Sequence, residues 1–214
     1  EGQQVDIALL DTQVAMLANL GSNYLVSGKT PGRAGNAHQN IVPYQVFEVK
    51  APEDAPDGTR DHLILAVGND GQFVKFCAVA GCPELAQDPR YALNADRVRH
   101  RAELVPLLET ILKTRTKAQW LPTLEAAKVP CGAINTLSEV FVDPQVQARG
   151  MVRQWQHPIK ADLQLVASPI KLSCTPVRED FPPPMLGQHT AEILSEVLGW
   201  TAEQLGPLRG KGVI

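Results

Sequence analysis

An α/β or α+β fold is what these 214 residues predict, on three observations. Residues 44–68 show the pattern of a β-hairpin, "YQVFEVK" and "HLILAVG", around a loop rich in acids and proline. Residues 70–150 are punctuated as helices by capping residues, glycine stops and Asp-Pro turns. Residues 151–175 return to short strand-like runs, and two amphipathic helices close the chain.

Residues 3–26 are the first predicted helix. In "VDIALLDTQVAMLANLGSNYLV" the residues Val5, Ile7, Leu9, Leu10, Val14, Met16 and Leu17 fall on nearly every side. A helix that is apolar all round needs burial all round, so it is expected inside something larger or inside an oligomer. Asp11 is then expected as a paired, buried carboxylate. Ser27-Gly28 and the cluster "GKTPGRAGN" end this helix. The hairpin connection "APEDAPDGTR" has three acidic residues and two prolines, the composition of a surface loop.

Asp70 is expected to cap "GQFVKFCAVA", with Gly81 as its left-handed stop. "AELVPLLETILK" places Leu104, Leu107, Leu108, Ile111 and Leu112 on one helical face. Thr116 with Gln119, and Thr136 with Glu139, have the spacing of capping boxes. Asp88-Pro89 and Asp143-Pro144 open short turns. Pro106 and Pro122 are expected in first turns, since further in they kink a helix. "MVRQW" and "LQLVASPIKL" are strand-like, and "REDFPPPM" is an extended proline linker. "GQHTAEILSEVLGW" and "TAEQLGPL" are two amphipathic helices separated at Gly199.

Composition narrows the function. The chain is 44% hydrophobic and 20% charged, with net charge −3 and no basic run, which argues against a nucleic-acid partner. No apolar stretch reaches the roughly 18 residues of a membrane span, and no secretory leader is expected on this reading. The four cysteines, Cys77, Cys82, Cys131 and Cys174, match neither a CxxC pair nor paired zinc ligands. A reduced, intracellular protein follows from that usage.

Chemistry is harder to find. No GxSxG, HExxH, GxGxxG or GxxxxGK[ST] pattern occurs. The five histidines (38, 62, 100, 157 and 189) contain no i,i+4 pair, so no metal site is expected. Cys131 in "VPCGA" is a nucleophile only if a histidine lies beside it; otherwise it is a packing residue. Lys29 and Arg33 either meet a phosphate or are solvated loop charges. His189 begins a helix. The polar stretch "GNAHQNIVPYQVF" (35–47) either lines a site or is an ordinary turn. The residues by themselves contain no complete catalytic set.

Six stretches, in order, carry a family resemblance: "GQQVDIALLDTQVAMLAN" (2–19), "GNAHQNIVPYQVF" (35–47), "HLILAVGNDGQF" (62–73), "DPRYALNADRVRHRAEL" (88–104), "VPCGAINTLSEVFVDPQVQARGMV" (129–152) and "LGQHTAEIL" (186–194). Together they resemble the class III CoA-transferase family, which also contains formyl-CoA transferase and α-methylacyl-CoA racemase. "GNAHQNIVPYQVF" most resembles the branch that moves CoA between succinate and other dicarboxylates, such as glutarate or hydroxymethylglutarate.

The resemblance implies the C-terminal part of that fold: a linker helix (1–34), a small α+β domain (35–150), and a return segment (151–214) packing on a Rossmann-like large domain. It implies that the nucleophilic aspartate and most CoA-binding residues lie upstream of Glu1, with no catalytic residue in this chain, which would be inactive alone. A CoA thioester would be the substrate and no cofactor would stay bound. Partners would be an acyl-CoA, a carboxylic acid and a second copy in an interlocked homodimer, without membrane or nucleic acid. The location would be cytoplasmic, or mitochondrial in a eukaryote. In the family a glycine-rich loop closes over the aspartyl intermediates. Here His38, Gln39 and Asn40 stand in place of consecutive glycines and are expected to contact substrate. Asp70 falls where the racemase branch has an acidic residue lining the site. A racemase or isomerase of the same superfamily, and a non-catalytic assembly subunit, are the alternatives.

Overall fold

The computed structural model describes residues 2–33, 35–178 and 181–214. Glu1, Ala34 of the glycine-bearing cluster, and Glu179 and Asp180 of the proline linker lie outside the described residues. The chain divides into two compact units, the first ending at Asn135 and the second starting at Thr136.

The first unit opens with α1 (Leu9–Ala15) and α2 (Ala18–Ser27), where one long helix was expected. The break falls at Met16-Leu17, and Ala18 enters α2 with φ +41°. Neither helix buries a residue: Leu9, Leu10, Leu25 and Val26 are exposed, and so is Asp11, which is not the buried carboxylate expected. Helices this short depend on tertiary packing for continuity, and among the described residues most of their apolar side chains stay open to solvent. Gly28, at φ +69°, ends α2 as expected.

The hairpin forms as its alternation predicts. Strands β1 (Tyr44–Val49) and β2 (Asp61–Ala66) pair antiparallel from Tyr44 opposite Ala66 to Val49 opposite Asp61. Phe47, Val49, Leu63 and Leu65 point into the core, the period-2 signature of a half-buried sheet. Next comes α3 (Asp70–Ala80), stopped by Gly81 at φ +74°. Its cap is Asn69, not Asp70: the Asn69 side chain accepts from the Gln72 amide at 2.9 Å. Asn69 still has extended backbone whereas Asp70 is already helical, and only a non-helical residue can turn its side chain back onto the first free amides.

Helices α4 (Pro83–Gln87), α5 (Asn94–Arg99), α6 (Arg101–Leu112) and α7 (Lys117–Ala126) follow. Leu104, Leu108 and Leu112 of α6 are fully buried with Phe73, Phe76, Trp120 and Leu124. Leu107, expected on the same face, is 45% exposed, because it lies at the edge of the stripe that the i, i+4, i+8 leucines define. Trp120 donates its indole N–H to the Leu112 carbonyl at 2.8 Å, satisfying both groups inside the core. The Thr116–Gln119 capping box forms. Pro106 and Pro122 sit inside α6 and α7, past the first turns expected for them. Both are on the solvent side, where water can take the carbonyl that each leaves without a donor.

Strand β3 (Cys131–Ile134) pairs antiparallel with β2, giving the order β1-β2-β3. This strand was not expected. It has four residues, and Gly132-Ala133 gives it no alternation. Its glycine suits close packing: a Cβ there would lie 3.3 Å from Ile64 Cγ2, its cross-strand neighbour, a tight contact that the Ile64 side chain would have to yield to.

The second unit contains α8 (Leu137–Val142), α9 (Pro144–Ala148), the antiparallel pair β4 (Val152–Trp155) and β5 (Leu163–Val166), then α10 (Thr190–Leu198) and α11 (Ala202–Gly210). Thr136 and Glu139 form the capping box read from their spacing. Asp143 caps α9 through the Gln145 and Val146 amides. Gly199, at φ +68°, separates the last two helices. Among the described residues, no helix is long and apolar enough to cross a membrane.

Candidate functional site

The polar stretch 36–43 is a built loop between α2 and β1. The Asn36 side chain accepts from the Val46 amide at 2.9 Å, and the His38 amide donates to the Tyr44 carbonyl at 2.8 Å. These two bonds fold the stretch back onto the first strand. His38 Nδ1 accepts from the Asn40 amide at 3.1 Å, which assigns the ring hydrogen to Nε2. The ring meets Tyr44 edge-on, with centroids 5.3 Å apart.

Three side chains from α5 and α6 hold the carbonyls of this loop. Arg101 donates one Nη2 to both the His38 carbonyl (2.6 Å) and the Gln39 carbonyl (2.9 Å). Asn94 donates to the Asn40 carbonyl at 2.9 Å and accepts from the Val42 amide at 3.1 Å. Arg97 donates Nε to the Val42 carbonyl at 2.7 Å. Sequence reasoning gave these three no role, although all are in "DPRYALNADRVRHRAEL". Their i, i+3, i+7 spacing, which puts polar groups on one side of two helical turns, was the available signal.

Arg97 is fully buried. Nη1 donates to the Tyr91 and Ala92 carbonyls at 2.9 and 3.1 Å, Nη2 donates to Asp70 Oδ1 at 2.8 Å, and the guanidinium lies 4.5 Å from the Phe73 ring centroid. A buried cation is tolerated only with such a complete set of partners. Asp70 Oδ1 also accepts from the Asn94 amide at 2.8 Å. The Asp70 carboxylate, 46% exposed, therefore ties α3 to α5 and neutralises Arg97 instead of capping its own helix.

Two neighbouring grooves, each about 550 Å³, share Gln39 and Asn40 as a common wall. One is completed by α2 residues including Asn23, with Lys29 and Thr30; the other includes His38 and Arg33. Asn23 faces both wall residues, with side-chain amide contacts of 3.3 to 3.5 Å. The structure thus brings His38, Gln39 and Asn40 together, and places Lys29 and Arg33 beside them. Asp70 lines neither groove; it reaches the loop through Asn94 and Arg97.

Cys131 is half-buried, and burial pushes its thiol above the usual range, with the Glu125 charge adding to the rise. A raised thiol holds less of the nucleophilic thiolate, which fits a packing residue. His189 contacts Glu192 at 3.0 Å within its own helix start. No cluster of three or more His, Cys, Asp or Glu that could hold a metal is found among the described residues.

A sequence model of CoA-transferase family III matches residues 1–190. The chain belongs to that family. It is 45% identical over 197 residues to the succinate–glutarate CoA-transferase of Agrobacterium fabrum, covering 92% of this chain and 47% of that protein. The succinyl-CoA:glutarate CoA-transferase of Homo sapiens is 36% identical over 214 residues, covering 100% of this chain and 47% of that protein. A crystal structure of a CaiB/BaiF family protein from Brucella suis superposes with a TM-score of 0.72 at 42% identity, covering 92% of this chain and 48% of its own. The chain spans about half the length of the curated relatives it matches. The mixed helix-and-strand architecture is that of family III, as the six stretches implied.

Proposed function

We propose that this chain is the C-terminal portion of an enzyme that moves CoA between succinyl-CoA and a second dicarboxylic acid of glutarate type. The observation that carries this reading is its 45% identity to a succinate–glutarate CoA-transferase across 92% of the chain. The nucleophile is an aspartate upstream of these residues. Its carboxylate attacks the thioester carbonyl, forming a mixed anhydride and releasing CoA thiolate. The thiolate attacks the aspartyl carbonyl of that anhydride, which gives the aspartyl-CoA thioester and frees succinate. The acceptor carboxylate displaces CoA to form a second anhydride, and the returning thiolate attacks the acceptor's acyl carbon, restoring the aspartate. A carboxylate suits this work because its acyl adducts remain activated for onward transfer. CoA is a substrate here and not a resident cofactor.

Within this chain the 38–40 loop is the part that faces substrate. His38 offers Nε2–H, and Gln39 and Asn40 offer amide groups beside Lys29 and Arg33, a donor set suited to carboxylate oxygens. Asp70 contributes by holding that loop's supports. The exposed apolar α1 and α2 support burial against a second copy in an interlocked homodimer.

The test uses the full-length protein with succinyl-CoA and isotopically labelled glutarate. Label appearing in glutaryl-CoA, absent when residues 1–214 are assayed alone, is the expected result. Deuterium wash-in at the α-carbon of an acyl-CoA, without transfer, would assign racemase chemistry instead. His38→Ala, Gln39→Ala and Asn40→Ala are expected to change the preference among dicarboxylate acceptors with little change in melting temperature. A loss of stability with acceptor preference intact would reduce the loop to an ordinary turn.

A further inference from the structure

We propose that Arg101, assisted by Asn94, is a positioning residue that holds the 38–42 loop in one preset conformation, so that acceptor recognition depends on it. This rests on the proposed role of the loop in facing a dicarboxylate. The carbonyls of His38, Gln39, Asn40 and Val42 are all taken by side-chain donors from α5 and α6. Two consecutive carbonyls converge on a single Arg101 nitrogen, which requires both peptide planes to turn towards the helix. That orientation sends the Gln39 and Asn40 side chains the other way, onto Asn23 and the shared groove wall.

Arg101 is spent on this loop alone. Among the described residues it makes no ion pair, and its hydrogen bonds go only to His38 and Gln39. It is partly exposed, unlike the fully buried Arg97. A charged donor forms the stronger class of hydrogen bond to a carbonyl, and its helix is anchored by the fully buried Leu104, Leu108 and Leu112. The loop's geometry is therefore set before substrate arrives. A loop without the clamp must be ordered at each binding event, and that cost falls on the affinity for whatever the loop contacts.

The experiment compares full-length wild type, Arg101→Met and Arg101→Lys, with succinyl-CoA as donor and glutarate as acceptor. In Arg101→Met the KM for glutarate should rise about tenfold while the KM for succinyl-CoA moves less than about twofold. Arg101→Lys, which keeps a charged donor but not the planar fork, should recover part of the loss. Amide hydrogen exchange gives a reading independent of catalysis. The Asn40 and Val42 amides should exchange on the order of tenfold faster in Arg101→Met, with Phe47 and Val49 of β1 unchanged. Unchanged exchange at Asn40 and Val42 overturns the proposal. So does faster loop exchange without any change in the glutarate KM, or faster exchange spread equally over β1. If wild type moves no CoA to glutarate while the loop still loosens selectively in Arg101→Met, the clamp stands and the assigned substrate fails.

Discussion

Removing the buried guanidinium should cost much more than neutralising its partner, and the contrast can be worked out from the contacts. In Arg97→Met the Phe73 ring keeps an apolar neighbour, but the Val42, Tyr91 and Ala92 carbonyls lose a donor. Val42 and Tyr91 are only 2% and 1% exposed, so water cannot readily replace it. Each buried acceptor left without a partner costs about 1–3 kcal/mol. With the Ala92 end free to relax, the two remaining acceptors sum to about 2–6 kcal/mol. Asp70→Asn keeps an acceptor at Oδ1 for both Arg97 and the Asn94 amide, and loses only the charge. That carboxylate is 46% exposed, so solvent screening limits the loss to about 1 kcal/mol. Urea denaturation followed by Trp120 fluorescence measures both, since Trp120 is the tryptophan of the first unit and is fully buried there. Equal destabilisation by the two substitutions would refute the reasoning and make the ion pair dominant. So would an Arg97→Met variant within about 0.5 kcal/mol of wild type.

Two further outcomes follow from burial. Leu108→Ala, at a fully buried position, should lose about 2–5 kcal/mol, whereas Leu107→Ala, 45% exposed, should lose less than about 1 kcal/mol by the same measurement. Exposed Cys174 should react with a thiol reagent at neutral pH well before half-buried Cys131. Because burial raises the Cys131 thiol above its ordinary value of 9.0, its thiolate fraction should keep rising with pH beyond that value; alkylation rates that level off below it would contradict the assignment.

Much of the fold was legible because local chemistry decided it. The hairpin's alternation, the Thr116 and Thr136 capping boxes, and the stops at Gly28, Gly81 and Gly199 each depend on residues within one turn or one strand pair. Strand β3 was not legible, since a four-residue run around Gly132 is a strand only because β2 lies beside it. The apolar first helix signalled a need for cover, yet Leu9, Leu10, Leu25 and Val26 are exposed among the described residues, and the helix is divided at Met16-Leu17.

The candidate site separates along the same line. Sequence alone singled out His38, Gln39 and Asn40 as polar residues in an unusual place, and its six ordered motifs identified CoA-transferase family III. It misjudged Asp70 as a cap, because a carboxylate at a helix start has that use in any local reading. Only the tertiary structure showed that Asn69 caps, and that Asp70, Asn94, Arg97 and Arg101 form the support behind the loop. Their bonds to one another and to the loop span from 24 to 63 positions of sequence, and no local pattern encodes which loop carbonyl a guanidinium will meet once helices α5 and α6 have packed beside the loop.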